Sequence, residues 1–420
     1  MIKDPVIRGS GLYGKAPLDV TSVINGVLKW DHPHQAVNIQ WISKGLLWLH
    51  RLYGGIIAGD QWTLAEAREE LDGDKACGPP YNWVYGPKKE DVLRHYTAEM
   101  LLQDFDEFTQ LCSGTLKDEL RRLLKDARLF LPANICMVLT GNYLFGAQNH
   151  RIMQAHNCRP IKIGMQTPGF EAWQFWKKFR SCLGEYHQFD GSQNDSHLSA
   201  VLFCAVRDFR KAYLPKDQSK RVNRYYDMTH WMWANFKGCV IDLIGQQTGQ
   251  TNTAADNSLC SLMILICHAI KHDMSFEEFQ RVELAIVGDD ILLCDPTGIF
   301  DPLLLDDTWH DFGMYLECPK YHEEFEELTF IGMHPVTRMV DGRPYLLYSY
   351  DVNKLLDSFN FYKKDNTPAQ RLQKLVTLCH LLFAHEEHYT LLRKACFDFA
   401  AKYKDHLSPE DLMDLGSLTR

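Results

Sequence analysis

A chain of 420 residues, 45% hydrophobic, 12% aromatic and 24% charged, is long enough for two or three lobes around a continuous core. That aromatic content excludes a disordered scaffold. Forty-five Lys and Arg against 54 Asp and Glu give a formal charge of −9, which excludes a surface coated throughout in basic charge but leaves room for a locally basic channel.

Thirteen cysteines are scattered singly from Cys77 to Cys396 with no Cys-x-x-Cys pair, so neither a secreted disulfide framework nor a structural zinc site is expected. Reduced, mostly buried thiols in a cytosolic protein fit better. Met1-Ile-Lys-Asp-Pro lacks the apolar core of a signal peptide. The longest apolar stretch, Leu259 to Ile270, is short for a bilayer, and no membrane span is expected.

In chain order, the first hundred residues mix short aromatic helical patterns with Gly/Pro turns, among them Gly54-Gly55 and Cys77-Gly-Pro-Pro-Tyr81. Apolar spacing predicts a helix from Thr97 to Asp126 and an extended, turn-rich stretch from Phe130 to Phe145. Gly169 to Leu183 reads as an amphipathic helix whose aromatics from Trp173 to Phe179 suit packing, with base stacking along a channel as the alternative, and Trp231-Met-Trp233 reads as core. A strand over Tyr186–Asp190 leads to a helix over Leu198–Phe209. The loop Gly245–Gly249 opens a long helix over Asn252–His272, and Glu283 to Cys294 forms a hairpin with a tight acidic turn. From Lys354 the chain is helical, and the whole reads as α+β.

Three polar elements carry chemistry. Gly288-Asp289-Asp290 alone occurs by chance about one time in ten in a chain of this size, and by itself is compatible with a solvated turn. Its wholly apolar flanks point elsewhere, because burial would crowd two carboxylates that then need a cation, and oxygen-only ligands suit Mg²⁺ or Mn²⁺. Phe189-Asp190-Gly-Ser-Gln-Asn-Asp195 sets one carboxylate at a strand end and another at a helix entrance, where Asp195 also qualifies as an N-cap. A strand-end carboxylate beside an acidic hairpin turn is the arrangement that two-metal phosphoryl transfer requires. In the loop and helix from Gly245 to Ser258, Thr253 and Asn257 share a helical face suited either to reading a ribose 2′-hydroxyl near Asp195 or to lining a polar core.

Taken together and in this order, these elements resemble the RNA-dependent RNA polymerases of positive-strand RNA viruses in the picornavirus-like supergroup, nearest the branch of potyviruses and astroviruses. Motif A is matched by Asp190 and Asp195, motif B by Thr248, Gly249, Thr253 and Asn257, and motif C by Gly288 to Asp290. Lys117-Asp-Glu-Leu-Arg121 with Lys125 and Arg128 is similar to motif F, whose basic side chains grip the incoming triphosphate, although a charged helical face would read the same way. Cys77–Tyr81 looks like motif G. Phe312 to Lys320 looks like motif D, in which Lys320 would protonate the departing pyrophosphate, and Phe330–Pro335 looks like motif E. Asn194 stands where an aromatic is usual, and Thr248 where Ser is commoner.

The resemblance implies a right-hand polymerase with an antiparallel palm sheet flanked by helices: fingers over 1–184, palm over 185–335 with an insertion near 210–240, thumb over 336–420. It implies two Mg²⁺ or Mn²⁺ ions on Asp190, Asp289 and Asp290, and ribose selection by Asp195 and Asn257. The implied partners are template and nascent RNA, ribonucleoside triphosphates, a genome-linked protein primer and other viral replication proteins. The implied location is a membrane-associated replication complex in the host cytoplasm. The rivals are a reverse transcriptase, which usually places a bulky side chain against the 2′-hydroxyl, and a catalytically silent RNA-binding scaffold of the same fold.

Overall fold

Apolar strands need cover on both faces, and that requirement organises the centre of the molecule. The computed structural model describes residues 10–30, 39–123, 125–191, 194–316, 320–322, 324–340, 342–360 and 367–418. Its central sheet is antiparallel, in the order Lys320–His322, Glu185–Asp190, Asp290–Asp295, Glu283–Val287. Leu284, Ile286, Ile291 and Leu293 join one large core with the helix Thr253–Lys271. The alternate residues Ala285, Leu292 and Cys294 pack on the opposite face against Phe175, Trp176 and Phe179 of the helix Phe170–Arg180. Covering both faces explains why these two strands read as unbroken apolar runs. Each buried Leu, Ile or Phe among them contributes about 1.5–3 kcal/mol.

The helix Thr253–Lys271 is long and apolar enough to cross a bilayer, yet it lies buried inside the fold. A fully buried Arg210–Asp256 ion pair (2.7 Å) ties its first turns to the helix Ala200–Lys211. His268, four residues before His272, is held inside the fold: its ring bonds Thr308 Oγ1 and Ile299 O.

Three expectations are corrected. The helix begun at Ala98 ends at Glu107, and residues 111–122 form short strands instead. Gly114 sits where a Cβ would fall 2.1 Å from the Phe236 ring; the strand before it pairs with Trp233–Asn235 and the strand after it with Leu129–Phe130. The stretch expected to be extended from Phe130 becomes the 20-residue helix Ile135–Gln154, capped by Asn134 accepting from Met137 N–H. Its Gly141 and Gly146 lower helix propensity, but they admit the Tyr225 hydroxyl and the Trp62 ring, which a Cβ would meet at 2.5 and 2.0 Å. Trp231 and Trp233 are 59% and 51% exposed, while the alternate residues Met232 and Ala234 are buried: strand alternation in the hairpin Trp231–Phe236/Cys239–Ile244 turns both indoles outward.

The hairpin Met333–Val340/Arg343–Tyr350 follows, and the C-terminal helices Val352–Asn360, Pro368–Leu381 and Glu386–Lys402 build a separate apolar core. The N-terminal strand Tyr13–Lys15 pairs with Leu120–Arg122. Beside it, the Asp357 carboxylate accepts from Ser10 Oγ, Gly11 N and Tyr13 N. The cysteines with described surroundings are all free, and most are buried.

Candidate active site

The acidic turn is a two-residue hairpin connection in which Gly288 takes φ 65°, the conformation that favours glycine at the first central position of such turns. Antiparallel pairing puts Asp290 directly opposite Asp190, and Gly191 N–H donates to Asp289 O at 3.2 Å. Directly opposed residues share one sheet face, so carboxylates crowd there. Asp290 Oδ2 accepts from Ile331 N–H at 2.6 Å, which ties the strand Asp290–Asp295 to the turn before the Met333–Val340 hairpin.

Burial raises the pKa of Asp290 to about 7. The Ile331 bond opposes the rise, and the neighbouring Asp190 and Asp289 charges add to it. Burial also raises Asp289, against its own backbone N–H and the Arg128 charge. Asp195 is raised by burial first. The Asn257 amide, which donates to Asp195 Oδ1 at 3.1 Å, pulls it back, Asp289 pushes it up, and Arg128 and Lys117 lower it. Arg128 therefore lies within electrostatic reach of both Asp195 and Asp289.

The basic segment is a set of short strands. Thr115–Leu116 pairs with Leu129–Phe130, and Lys117 N–H donates to Arg128 O at 2.9 Å. Lys117 Nζ meets Glu119 at 3.0 Å, and the Arg121 guanidinium donates to Asp126 O. The loop at Gly245–Gly249 braces this segment: Thr248 Oγ1 accepts from Leu131 N–H at 2.7 Å, and a Cβ on Gly249 (φ 71°) would stand 3.1 Å from the Phe130 ring. Gln246 N–H donates to Asp195 O at 2.7 Å. The Thr253 hydroxyl, at the start of its helix, donates to the carbonyls of Gln247 and Gln250, both at 3.2 Å.

Between the acidic and basic elements lies a cavity of about 370 Å³. Asp190, Asp195 and Asp289 line one side, and Arg121, Lys125 and Arg128 line the other. Asn25, Lys29 and Trp30, from and just after the helix Val20–Leu28, complete the wall. Sequence reasoning missed these three, since no local spacing marks them and only tertiary pairing of the N-terminal segment brings them in. Asn25 Nδ2 donates to Asp126 Oδ2 at 3.1 Å.

Lys320 begins the edge strand opposite Gln188, two residues from Asp190, but its side chain and residues 317–319 lie outside the described residues, as do Ser192 and Gln193. The Cys77–Tyr81 turn packs against the start of the helix Ile135–Gln154, with Ile135 N–H donating to Cys77 O at 2.8 Å. Among the described residues, no three His, Cys, Asp or Glu side chains are already gathered as a metal cage. The acidic side offers oxygen donors only, and their raised pKa values mark charges that a hard cation would relieve.

A family model described as viral RNA-dependent RNA polymerase matches residues 14–404. The chain belongs to that family. It is similar to genome polyprotein 1 of barley mild mosaic virus, 26% identical over 296 residues, covering 65% of this chain and 13% of the polyprotein. The genome polyproteins of ryegrass mosaic virus and zucchini yellow mosaic virus (strain Reunion Island) are each 25% identical, over 282 and 299 residues, covering 62% and 66% of this chain. The chain spans 9% of each of those two polyproteins.

Proposed function

We propose that the chain extends an RNA 3′-end on an RNA template, adding ribonucleoside monophosphates with release of pyrophosphate, in replication of a positive-strand viral genome. The observation that carries this reading is the single cavity with carboxylates on one side and guanidinium and ammonium groups on the other. A nucleoside triphosphate needs both: cations for its phosphates, and a carboxylate pair for the metal ions it brings.

In this reading Arg121, Lys125 and Arg128 hold the triphosphate together with Lys117, whose backbone N–H also holds the Arg128 carbonyl just before the strand Leu129–Phe130. Asp190, Asp289 and Asp290 would hold two Mg²⁺ or Mn²⁺ ions. When bound, these ions lower the pKa of the attacking 3′-hydroxyl and stabilise the leaving pyrophosphate. Asp195, oriented by Asn257, accepts from the ribose 2′-hydroxyl, which deoxyribonucleotides lack. Thr248, Gly249 and Thr253 shape the loop under the nucleotide, and Lys320 donates a proton to the pyrophosphate.

The right-hand arrangement assigns fingers to 1–184, palm to 185–335 with an insertion near 210–240, and thumb to 336–420. Its partners are template and nascent RNA, ribonucleoside triphosphates, a genome-linked protein primer and other viral replication proteins, in a membrane-associated complex of the host cytoplasm. The test is extension of a primed RNA template with Mg²⁺ or Mn²⁺, comparing ribonucleotides with deoxyribonucleotides. Metal-dependent, ribonucleotide-selective growth is expected. Preference for deoxyribonucleotides favours a reverse transcriptase, and no incorporation with either metal favours a silent RNA-binding scaffold.

A further inference from the structure

Gly288 is gripped by two hydroxyls of one helix. Ser258 Oγ accepts the Gly288 N–H at 2.7 Å and donates its own proton to Ala254 O at 2.8 Å. Ser261 Oγ donates to Gly288 O at 2.8 Å. Both serines are buried, and their spacing of three puts them on one face of the helix Thr253–Lys271. The Gly288 N–H belongs to the peptide before the residue and its carbonyl to the peptide that leads into Asp289. The two bonds therefore fix both peptide planes around the one left-handed residue of the turn. A Cβ on Gly288 would meet only Asn257 Cβ, at 4.0 Å, so the position is set by conformation rather than by lack of space.

The residue before Ser258 is Asn257, which holds Asp195. The residue before that is Asp256, locked to Arg210 in a fully buried ion pair. One rigid helix thus carries, at consecutive positions, its own anchor, the support of Asp195 and the first half of the grip on the acidic turn. A serine serving helix packing alone would be content with the bond to the carbonyl four residues back. Ser258 makes that bond and also receives the turn.

We infer that Ser258 and Ser261 are positioning residues that fix the Asp289–Asp290 turn relative to Asp195, so that the ribose-reading carboxylate and the acidic turn are held as one unit. This rests on the proposed reading of that turn as the catalytic centre. Ser258→Ala leaves the part-buried Gly288 N–H without its acceptor, and Ser261→Ala leaves the carbonyl free to swing. In either case Asp289 no longer has one fixed direction of departure from the turn.

The test uses the full chain on a primed RNA template, with Ser258→Ala, Ser261→Ala, the hydroxyl-keeping Ser261→Thr, and Asp289→Asn as control. Each Ala variant is expected to lower kcat about tenfold to thirtyfold, with KM for the nucleotide within about twofold of wild type. The Mg²⁺ concentration for half-maximal rate should rise and discrimination against deoxyribonucleotides should fall, while Ser261→Thr stays near wild type. If Ser258→Ala does not fold, Ser261→Ala with its Thr partner carries the comparison. Wild-type kcat and Mg²⁺ midpoint in the folded Ala variants, with Asp289→Asn inactive, overturn the positioning role and leave the catalytic reading standing. Losses that only track the fraction of folded protein, with an unchanged Mg²⁺ midpoint, overturn it equally. An active Asp289→Asn overturns the catalytic reading itself.

Discussion

The two sides of the cavity are built in opposite ways. The acidic side stands on the central sheet and on a helix buried along most of its length, with Asp190 and Asp290 at strand ends and Asp195 bonded to Asn257. The basic side is a run of two- and three-residue strands and connecting loops whose cationic side chains are mostly exposed, ordered by pairing within the segment and with the N-terminal strand Tyr13–Lys15. Like charges crowded together demand a frame that cannot relax, and burial supplies it at the cost of raised pKa values. Cations that close around a mobile polyanion need reach rather than rigidity. One side is therefore pre-set, and the other is suited to adapt to its ligand.

Substitutions on the two sides should therefore fail in different ways. Asp190→Asn should lower incorporation at least about a thousandfold in single-turnover assays while the melting temperature holds or rises, since the change relieves repulsion. A loss of folding instead would show that Asp190 holds the sheet together. Arg128→Ala should raise KM for the nucleotide about tenfold to a hundredfold, as expected for one charge-assisted contact, with thermal stability unchanged because the side chain is exposed. If kcat falls and KM stays, Arg128 belongs to the chemistry rather than to binding. Asn257→Ala should cut the preference for ribonucleotides over deoxyribonucleotides about tenfold, read from competing kcat/KM values.

The smallest effect is a stability signature in metal-free protein. Asp290 has a raised folded pKa of about 7, so between its unfolded value near 4 and that value the folded state holds a proton that the unfolded state has lost. Its contribution to stability is complete below the unfolded pKa and is lost as pH rises to about 7. Asp290→Asn keeps an acceptor for Ile331 N–H and removes this loss. Denaturant titrations should find the variant more stable by about 1–2 kcal/mol at pH 8, with the gap closing towards pH 4. A gap independent of pH would mean that Asp290 is not strained by its neighbours.

The same contrast decided what the sequence disclosed. The acidic hairpin, the strand ending at Asp190 and the helix after Gly249 were legible because each is built by local periodicity and turn chemistry. The basic segment was not, because Leu116, Leu120 and Leu123 fall at helix-like spacing while the strands are created by partners at Tyr13–Lys15 and Leu129–Phe130. Trp231-Met-Trp233 carries apolar side chains on both faces of a strand, so composition could not tell which face is inward, and Met232 took the core position. The helix Ile135–Gln154 was hidden by glycines whose value lies in contacts with Tyr225 and Trp62, far along the chain. The Asn25, Lys29 and Trp30 wall is invisible for the same reason.

The division of labour between the two sides is tested most directly by Asp289→Asn, with nucleotide binding and nucleotide incorporation measured on the same protein. Wild-type affinity for a fluorescent ribonucleoside triphosphate is expected through the cationic side, with incorporation on a primed RNA template reduced at least about a thousandfold. Elongation at a near-wild-type rate by this variant would contradict that division of labour.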